Sequence, residues 1–571
     1  MKPAVKRLRF TVLAVMLCML AGLYAPASRA YTPSVSALKI GLYHGTDALN
    51  SANLQNVTGS GSGYDFGYFD SGRNFVPVGA YTDEIYITMM KDRTMTHTVI
   101  DGRAEYREGI EGNITVGAYH IVLDVSFDTF GDAKALADEY SGYQTFVKFD
   151  SGRFVVCAGN YITRPDAEGA AASMPTGVAG ITSGTANTIS VVRTGSNEIL
   201  FEYDNGATPL GIMPRSVGGE KCVTHFRGYR YNGGFQYTRG GTDGNMTVIN
   251  VVGIEDYIKG VVPHEINPTW HIEALKAQAV CARSYVLAYL NRHGSSGFDT
   301  CTTEHCQVYF GRGQANESSD RAVDETAGMY MMYNGSLARP YYSSSNGGAS
   351  ENSENVWNDA IPYLRGVIDP YEADVAQRIK DYNWTITYTP AEITQRLRDR
   401  GYNAGTIVSM EVTDYTPTGN VLRVTLKDSN GTSWRFRGRD EIIRALGVSS
   451  IRFNIGNTSF QPTSIFINGS DNTLDSGTAY AIGGDGQISA IPGGSLYAIT
   501  GSGETEIVTG GGTAADRSSD NGMINGVFSI KGKGRGHSVG MSQWGALSMA
   551  EHHGKTYLEI LNFYFTGITV E

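Results

Sequence analysis

Basic charge, proline, cysteine and long apolar runs are all scarce in this chain of 571 residues. The formal net charge is −11, and five units more negative without the N-terminal Lys2, Lys6, Arg7, Arg9 and Arg29. Such an acidic balance argues against nucleic acid as a partner and leaves neutral polymers such as glycans open. Only 17 prolines stand against 71 glycines, amid many Tyr, Thr, Ser and Asn, which favours short strands and turns over long helices. Aromatic and β-branched residues recur along the length, which excludes a disordered chain. Of six cysteines, Cys18 lies near the start; Cys157, Cys222, Cys281, Cys301 and Cys306 remain. An odd number describes no disulfide framework. Beyond residue 30 no apolar run is long enough to span a bilayer as a helix.

Residues 1–30 read as a signal peptide. A basic start is followed by "FTVLAVMLCMLAGLY", which is short for a full span, and then by "PASRA", with cleavage after Ala30. The alternative is an uncleaved anchor, the only way a membrane would be involved. Either reading makes the rest secreted or extracytoplasmic.

The length predicts several domains, and the pattern predicts an α+β, β-rich fold. Residues 31–115 ("SALKIGLYHG", "DEIYITMM") read as a β-rich module. Residues 116–180 read as β-α-β-β-α, from "YHIVLDVSFDTFGDAKALADEY" through "YQTFVKFDSGRFVVCAGNY" to "RPDAEGAAASM". Residues 181–221 read as a linker with β character, and 222–571 as one further domain. Within it, "TPAEITQRLRDRG" predicts a helix, a hairpin turns at Thr418–Asn420, and "RDEIIRALG" predicts a helix ending at Gly447. A Gly/Ser/Thr-rich insertion at about 458–525 carries short strands at "TAYAIGG" and "SLYAITG".

The chemistry concentrates in "GVVPHEINPTWHIEALKAQAVCARSYVLAYL", Gly260 to Leu290. Ile272, Leu275, Ala279, Ala282, Val286 and Leu290 recur at helical spacing, with Pro268 suited to the first position and Glu273 to the positive helix start. Glu265 is expected just outside this helix, in the loop leading to its N-terminus. If the loop lines a cleft, desolvation raises the carboxyl pKa toward that of a general acid; otherwise it is a capping or surface carboxylate. Lys276 and Arg283 share a helix face, placed either to steer Glu265 and hold a polar substrate or simply to meet solvent. Cys281 is expected to be a small buried apolar residue.

Two further clusters stand out. "GKGRGHSVGMSQWG" packs glycines around His537, Gln543 and Trp544. Glycines let backbone approach a ligand, the amide can bond sugar hydroxyls, and the indole offers a flat face. The order lacks the Gly-Lys-Ser/Thr ending of a phosphate loop. In "RHGSSGFDTCTTEHCQVYFG", His293, Cys301, His305 and Cys306 make a tetrahedral zinc set; the alternative is a Cys301–Cys306 disulfide.

"YIKGVVPHEINPTWHIEALKAQAVCARSYVLAY", "PYYSSSNGGASENSENVW" (Pro340–Trp357) and "KGRGHSVGMSQWGALSMAEHHGKTYLEILNFYFTGITV" together resemble, in order, the SpoIID/LytB family of bacterial cell-wall proteins. The resemblance covers Cys222 to Glu571 without the insertion. Upstream, "VVCAGNYITRPDAEGAAASM" and its element order resemble the SPOR domain, a peptidoglycan-binding module. The better-studied family members are lytic transglycosylases of sporulation, and relatives also act in vegetative walls. They cut between N-acetylmuramic acid and N-acetylglucosamine and leave a 1,6-anhydro sugar. The resemblance implies a SpoIID-like catalytic domain with Glu265, in Pro263-His264-Glu265, as acid and then base; His264 and Ile266 stand where serine and methionine are commoner. It implies substrate binding by Lys276, Arg283, Tyr285, Ser343, Ser344, Ser345, His537, Gln543 and Trp544, with asparagine at 346 where the family often has cysteine. It implies structural zinc on His293, Cys301, His305 and Cys306. Some members are described instead as non-catalytic glycan-binding enhancers of a cell-wall amidase, and that is the alternative reading. A zinc-dependent hydrolase built on the Cys/His cluster is a third.

Overall fold

The computed structural model describes residues 31–240, 243–456 and 521–571, together with four short strands between 479 and 508. The signal-peptide expectation for residues 1–30 lies outside the described residues. No described helix is long and apolar enough to cross a membrane. The fold is α+β and β-rich, organised around several hydrophobic cores.

Two large sheets build the N-terminal half. The first runs in the order Thr300–Cys301, Ala37–Tyr43, Met246–Gly253, Gly234–Arg239, Leu210–Ser216, Gly61–Phe69, Phe75–Thr82. Its alternation is plain in Ala37–Tyr43, where Leu38 and Ile40 are fully buried. The second begins Val178–Thr182, Tyr119–Phe127, Arg153–Tyr161, Thr145–Asp150, Ile199–Asp204 and continues Ile189–Arg193, Tyr86–Lys91, Ser51–Asn56, Thr224–Phe226, Tyr229–Tyr231. One core joins them: Phe66 of the first sheet stacks on Phe201 of the second, ring centroids 4.7 Å apart.

Strand pairing therefore crosses the divisions drawn from sequence at 115, 180 and 221. Leu38 pairs with Val252, Met89 with Val191, and Val147 with Phe201. Residues 31–115 feed strands into both large sheets besides forming a small sheet of Met95–Ile100 and Arg103–Arg107 with Thr115–Val116, and the β character of 181–221 is three strands of the two large sheets. A few strands with one apolar face cannot bury it alone, so they complete one another across long sequence separations. Within 116–180 the expected order is present, with helices Phe130–Glu139 and Arg164–Ala171 capped by Thr129 and Thr163, but its strands continue into the larger sheet.

Two helices follow Met246–Gly253. The first is Ile254–Glu265, and the second is Ile272–Ala288, capped by His271. The second starts four residues beyond Pro268, the start expected from sequence, because the His271 ring accepts the Glu273 N–H at 3.3 Å. It has two buried faces. Leu275, Ala279, Ala282 and Val286 enter the core of the large sheets. Ala274, Ala277, Val280 and Cys281 enter a second core with Val539, Met541, Met549 and Leu561.

A third core holds residues 383–456 and 521–533. Helix Pro390–Arg398 opens on a Thr389/Glu392 capping box, and helix Gly438–Leu446 ends at Gly447, whose φ of 72° suits glycine. Ile407–Tyr415 and Val421–Asp428 form the expected hairpin. Ile455 pairs with Ile530, so the intervening chain leaves and re-enters between neighbouring antiparallel strands, as an insertion does. Inside it Ala479–Ile482 pairs with Ile488–Ile491, and Leu496–Ile499 with Thr505–Val508; the rest of the 458–525 expectation up to residue 520 lies outside the described residues.

Candidate functional site

Glu265 is the last residue of the Ile254–Glu265 helix, not part of a loop before the next. Tyr257, Ile258, Val261, Val262 and Pro263 bury that helix and leave Glu265 half-buried at its end. The Val308 N–H donates to its Oε1 at 3.0 Å, and the Tyr342 hydroxyl lies within hydrogen-bonding reach. Gln307 connects the surroundings, its Nε2 donating to the Tyr342 oxygen at 3.0 Å and its Oε1 accepting from Tyr257 at 3.2 Å. Burial raises the Glu265 pKa, the two donors oppose the shift, and the negative charge of Glu304 adds to it. The helix C-terminus also disfavours an anion there. Among the described residues no cationic side chain forms an ion pair with Glu265.

A chain of contacts leads away from this carboxyl through Tyr342. Tyr342 and Ser343 pair in parallel with Met541 and Ser542. The next residue, Ser344, accepts the Trp544 N–H at 3.1 Å. The Trp544 ring meets Trp270, five positions after Glu265, with centroids 4.5 Å apart. Ser343, Ser344, Trp270 and Trp544 are all partly exposed, so hydroxyls and flat rings continue from Tyr342, the residue whose hydroxyl reaches the acid. His537 is half-buried against the backbone of Tyr342 and the Trp357 ring, and burial lowers its pKa; its Nδ1 accepts the Val539 N–H.

Other expected substrate residues are committed to the scaffold. Arg283 is fully buried, donates in a fork to Glu255 and bonds the Met329 and Val323 carbonyls. Lys276 pairs with Glu273 at 2.8 Å and Glu325 at 2.7 Å. Both thus pair with acids other than Glu265 and fasten the helix to its neighbours. Ser345 is buried and donates to Glu372 at 2.8 Å, and Gln543 is buried with its Nε2 on Gln278 at 3.3 Å. Tyr285 packs edge-on against Tyr341, accepts from Arg292 and is almost wholly buried. Polar atoms taken out of water, as in Arg283, Ser345, Gln543 and Tyr285, must find partners inside the protein.

His293, Cys301, His305 and Cys306 converge, with one ligand atom of each lying within 4.8 Å of the others. His293 Nε2 is 3.3 Å from Cys306 Sγ, and His305 Nδ1 is 3.5 and 3.8 Å from the two sulfurs. Tetrahedral zinc with bonds of about 2.0–2.3 Å sets its ligand atoms roughly 3.5 Å apart, so the donor set fits that ion. Both thiols are free in the structure. The cluster runs straight into Gln307 and Val308, the residues that contact the Glu265 network.

Tyr342, Gln307, Val308 and Trp270 are the members that sequence reasoning missed. Tyr342 adjoins Ser343 and Gln307 adjoins Cys306, yet an isolated Tyr or Gln carries no pattern, and Val308 acts through its backbone.

Residues 242–333, which contain both Glu265 and the Cys/His cluster, match a family model described as SpoIID, Stage II sporulation protein. The chain is 30% identical over 384 residues to an uncharacterized protein of Brachyspira hyodysenteriae, covering 66% of this chain and 83% of that one. It is 29% identical over 313 residues to the "Amidase enhancer" of Bacillus subtilis, spanning 55% of this chain but only 40% of that protein. It is 26% identical over 341 residues to "Stage II sporulation protein D" of the same organism, covering 57% of this chain and 76% of the other. The chain belongs to the SpoIID/LytB family.

Proposed function

We propose that this protein is a peptidoglycan lytic transglycosylase of the bacterial cell wall. The observation that carries the reading is the half-buried Glu265 carboxyl, raised in pKa, without a cationic partner among the described residues, bonded by the Val308 amide and within reach of the Tyr342 hydroxyl, which precedes the partly exposed Ser343 and Ser344. Protonated Glu265 donates to the glycosidic oxygen between N-acetylmuramic acid and N-acetylglucosamine as the C1–O bond breaks. The carboxylate then accepts the proton of the muramic C6 hydroxyl as that oxygen bonds C1. The product is a 1,6-anhydro end, no water is consumed, and one carboxyl serves both steps, unlike the usual two-carboxylate scheme. Val308 and Tyr342 stabilise the anion between the steps. Trp270 and Trp544 stack against sugar rings, and Ser343 and Ser344 bond their hydroxyls.

A structural zinc ion on His293, Cys301, His305 and Cys306 would hold the loop that presents Val308. Four such ligands would leave a tetrahedral ion no open position, which disfavours the metallohydrolase reading. The SPOR-like stretch 116–180 would add affinity for glycan. The leader-like first thirty residues favour an extracytoplasmic site of action.

The second reading, a glycan-binding enhancer of a cell-wall amidase with no chemistry of its own, is favoured by the amidase-enhancer relative. Mass spectrometry of sacculi digested with wild type and Glu265→Gln decides between the two. Anhydro-muramic ends from wild type alone support the transglycosylase. Ends from neither, with glycan still bound, leave the enhancer.

A further inference from the structure

A second convergence of ligand atoms lies far from Glu265 in the sequence and takes no part in the reading above. His120, Asp92 and Glu202 are all essentially inaccessible to solvent, and one ligand atom of each lies within 4.8 Å of the others. His120 Nδ1–H donates to the Gly159 carbonyl at 2.7 Å, so Nε2 faces inward. That nitrogen sits 3.5 Å from Asp92 Oδ1 and 3.4 Å from Glu202 Oε2, and makes no hydrogen bond. A histidine whose other nitrogen is pinned to a backbone carbonyl is the usual posture of a metal ligand. Glu202 is posed likewise, and Asp92 Oδ2 has no hydrogen-bond partner among the described residues. Glu202 Oε1 is held by Lys148 at 3.0 Å while Oε2 turns to the histidine. Asp92 Oδ2 lies beneath Gly184, where a Cβ would come within 1.7 Å of it.

The spacing separates two explanations. A charged N–H donating to a carboxylate settles at about 2.7–2.9 Å. A metal bonded to nitrogen and oxygen at about 2.1 Å in tetrahedral geometry sets them roughly 3.4 Å apart. The observed separations match the second. Leaving a buried nitrogen and carboxylate oxygens unbonded is costly, and a cation at their centre satisfies them together.

We propose that His120, Asp92 and Glu202 form a buried site for a divalent cation of the zinc class. The three ligands come from three stretches: Asp92 follows Tyr86–Lys91, His120 lies in Tyr119–Phe127, and Glu202 lies in Ile199–Asp204. The ion is a clasp on the ten-stranded sheet, drawing together segments distant in sequence.

The test is cobalt uptake by the full chain after chelator treatment, read by metal analysis and visible absorption. The expected result is one equivalent of Co²⁺ that lacks thiolate-to-cobalt charge transfer. This equivalent persists in Cys301→Ser/Cys306→Ser, whose melting temperature Zn²⁺ raises. It is lost in Asp92→Asn and in Glu202→Gln, which keep side-chain shape. Uptake confined to a thiolate-marked equivalent overturns the proposal, as does a thiolate-free equivalent that survives both carboxamide variants. The wild type and the cysteine variant carry the test even where a change at the site prevents folding.

Discussion

The Val308 amide donates to Glu265 Oε1 at 3.0 Å, and Val308 lies only two positions after Cys306. The acid and the Cys/His cluster are thus joined by a short rigid link, and perturbing one must be felt at the other.

Replacing Glu265 with Gln removes the transferable proton while keeping an acceptor for Val308. Formation of anhydro ends should fall by about 10²–10⁴-fold, the range typical of a positioned acid–base group. Sacculus binding should be retained, as a pull-down assay would register.

The raised pKa of Glu265 has consequences for both rate and stability. The first step needs the protonated carboxyl, so kcat/KM should decline as pH rises through a value above the ordinary 4.5. Between 4.5 and that folded value the native chain binds more protons than the unfolded one, so Glu265 makes stability fall as pH climbs through the window. Glu265→Gln should therefore melt above wild type at neutral pH, and the gap should close toward pH 4; scanning calorimetry at both pH values reads this.

Tyr342→Phe deletes a donor to the carboxylate. A hydrogen bond to a charged group is worth about 1.5–3 kcal/mol, or roughly one to two pH units. The alkaline limb of the pH–rate profile should move upward by about that much, with a lower maximal rate.

Arg283 belongs to the scaffold, and Arg283→Met should show it. The change leaves partly exposed Glu255 unpaired and the Met329 and Val323 carbonyls without their donor, and each buried group left unsatisfied costs about 1–3 kcal/mol. A large drop in melting temperature is expected, with normal anhydro products from whatever folds. Unchanged stability with lost glycan affinity would return this residue to substrate binding.

Trp544→Ala should raise KM for glycan by about tenfold and leave kcat nearly unchanged, since one lost stacking face is worth on the order of 1–2 kcal/mol. Steady-state kinetics on fluorescently labelled strands separates the two parameters.

Much of the local structure was legible. The helix at Pro390–Arg398, the turn before Val421 and the stop at Gly447 depend on neighbours in sequence, namely a capping threonine, turn residues and a glycine that tolerates positive φ. Glu265 was legible as an acid among apolar residues, and the His/Cys set by residue type. The helix Ile272–Ala288 was legible as an element, but not its two buried faces, because small residues such as Ala274 and Ala277 pack equally well inside or out.

By itself, then, the sequence determined residue chemistry, local elements and family membership. Tertiary structure alone decided that Arg283, Gln543 and Ser345 are internal fastenings, that Tyr342 and Val308 attend the acid, and that Asp92, His120 and Glu202 meet. Those outcomes depend on which distant surfaces exclude water together. A polar group's role follows from the partner it finds there, and spacing along the chain does not specify that partner.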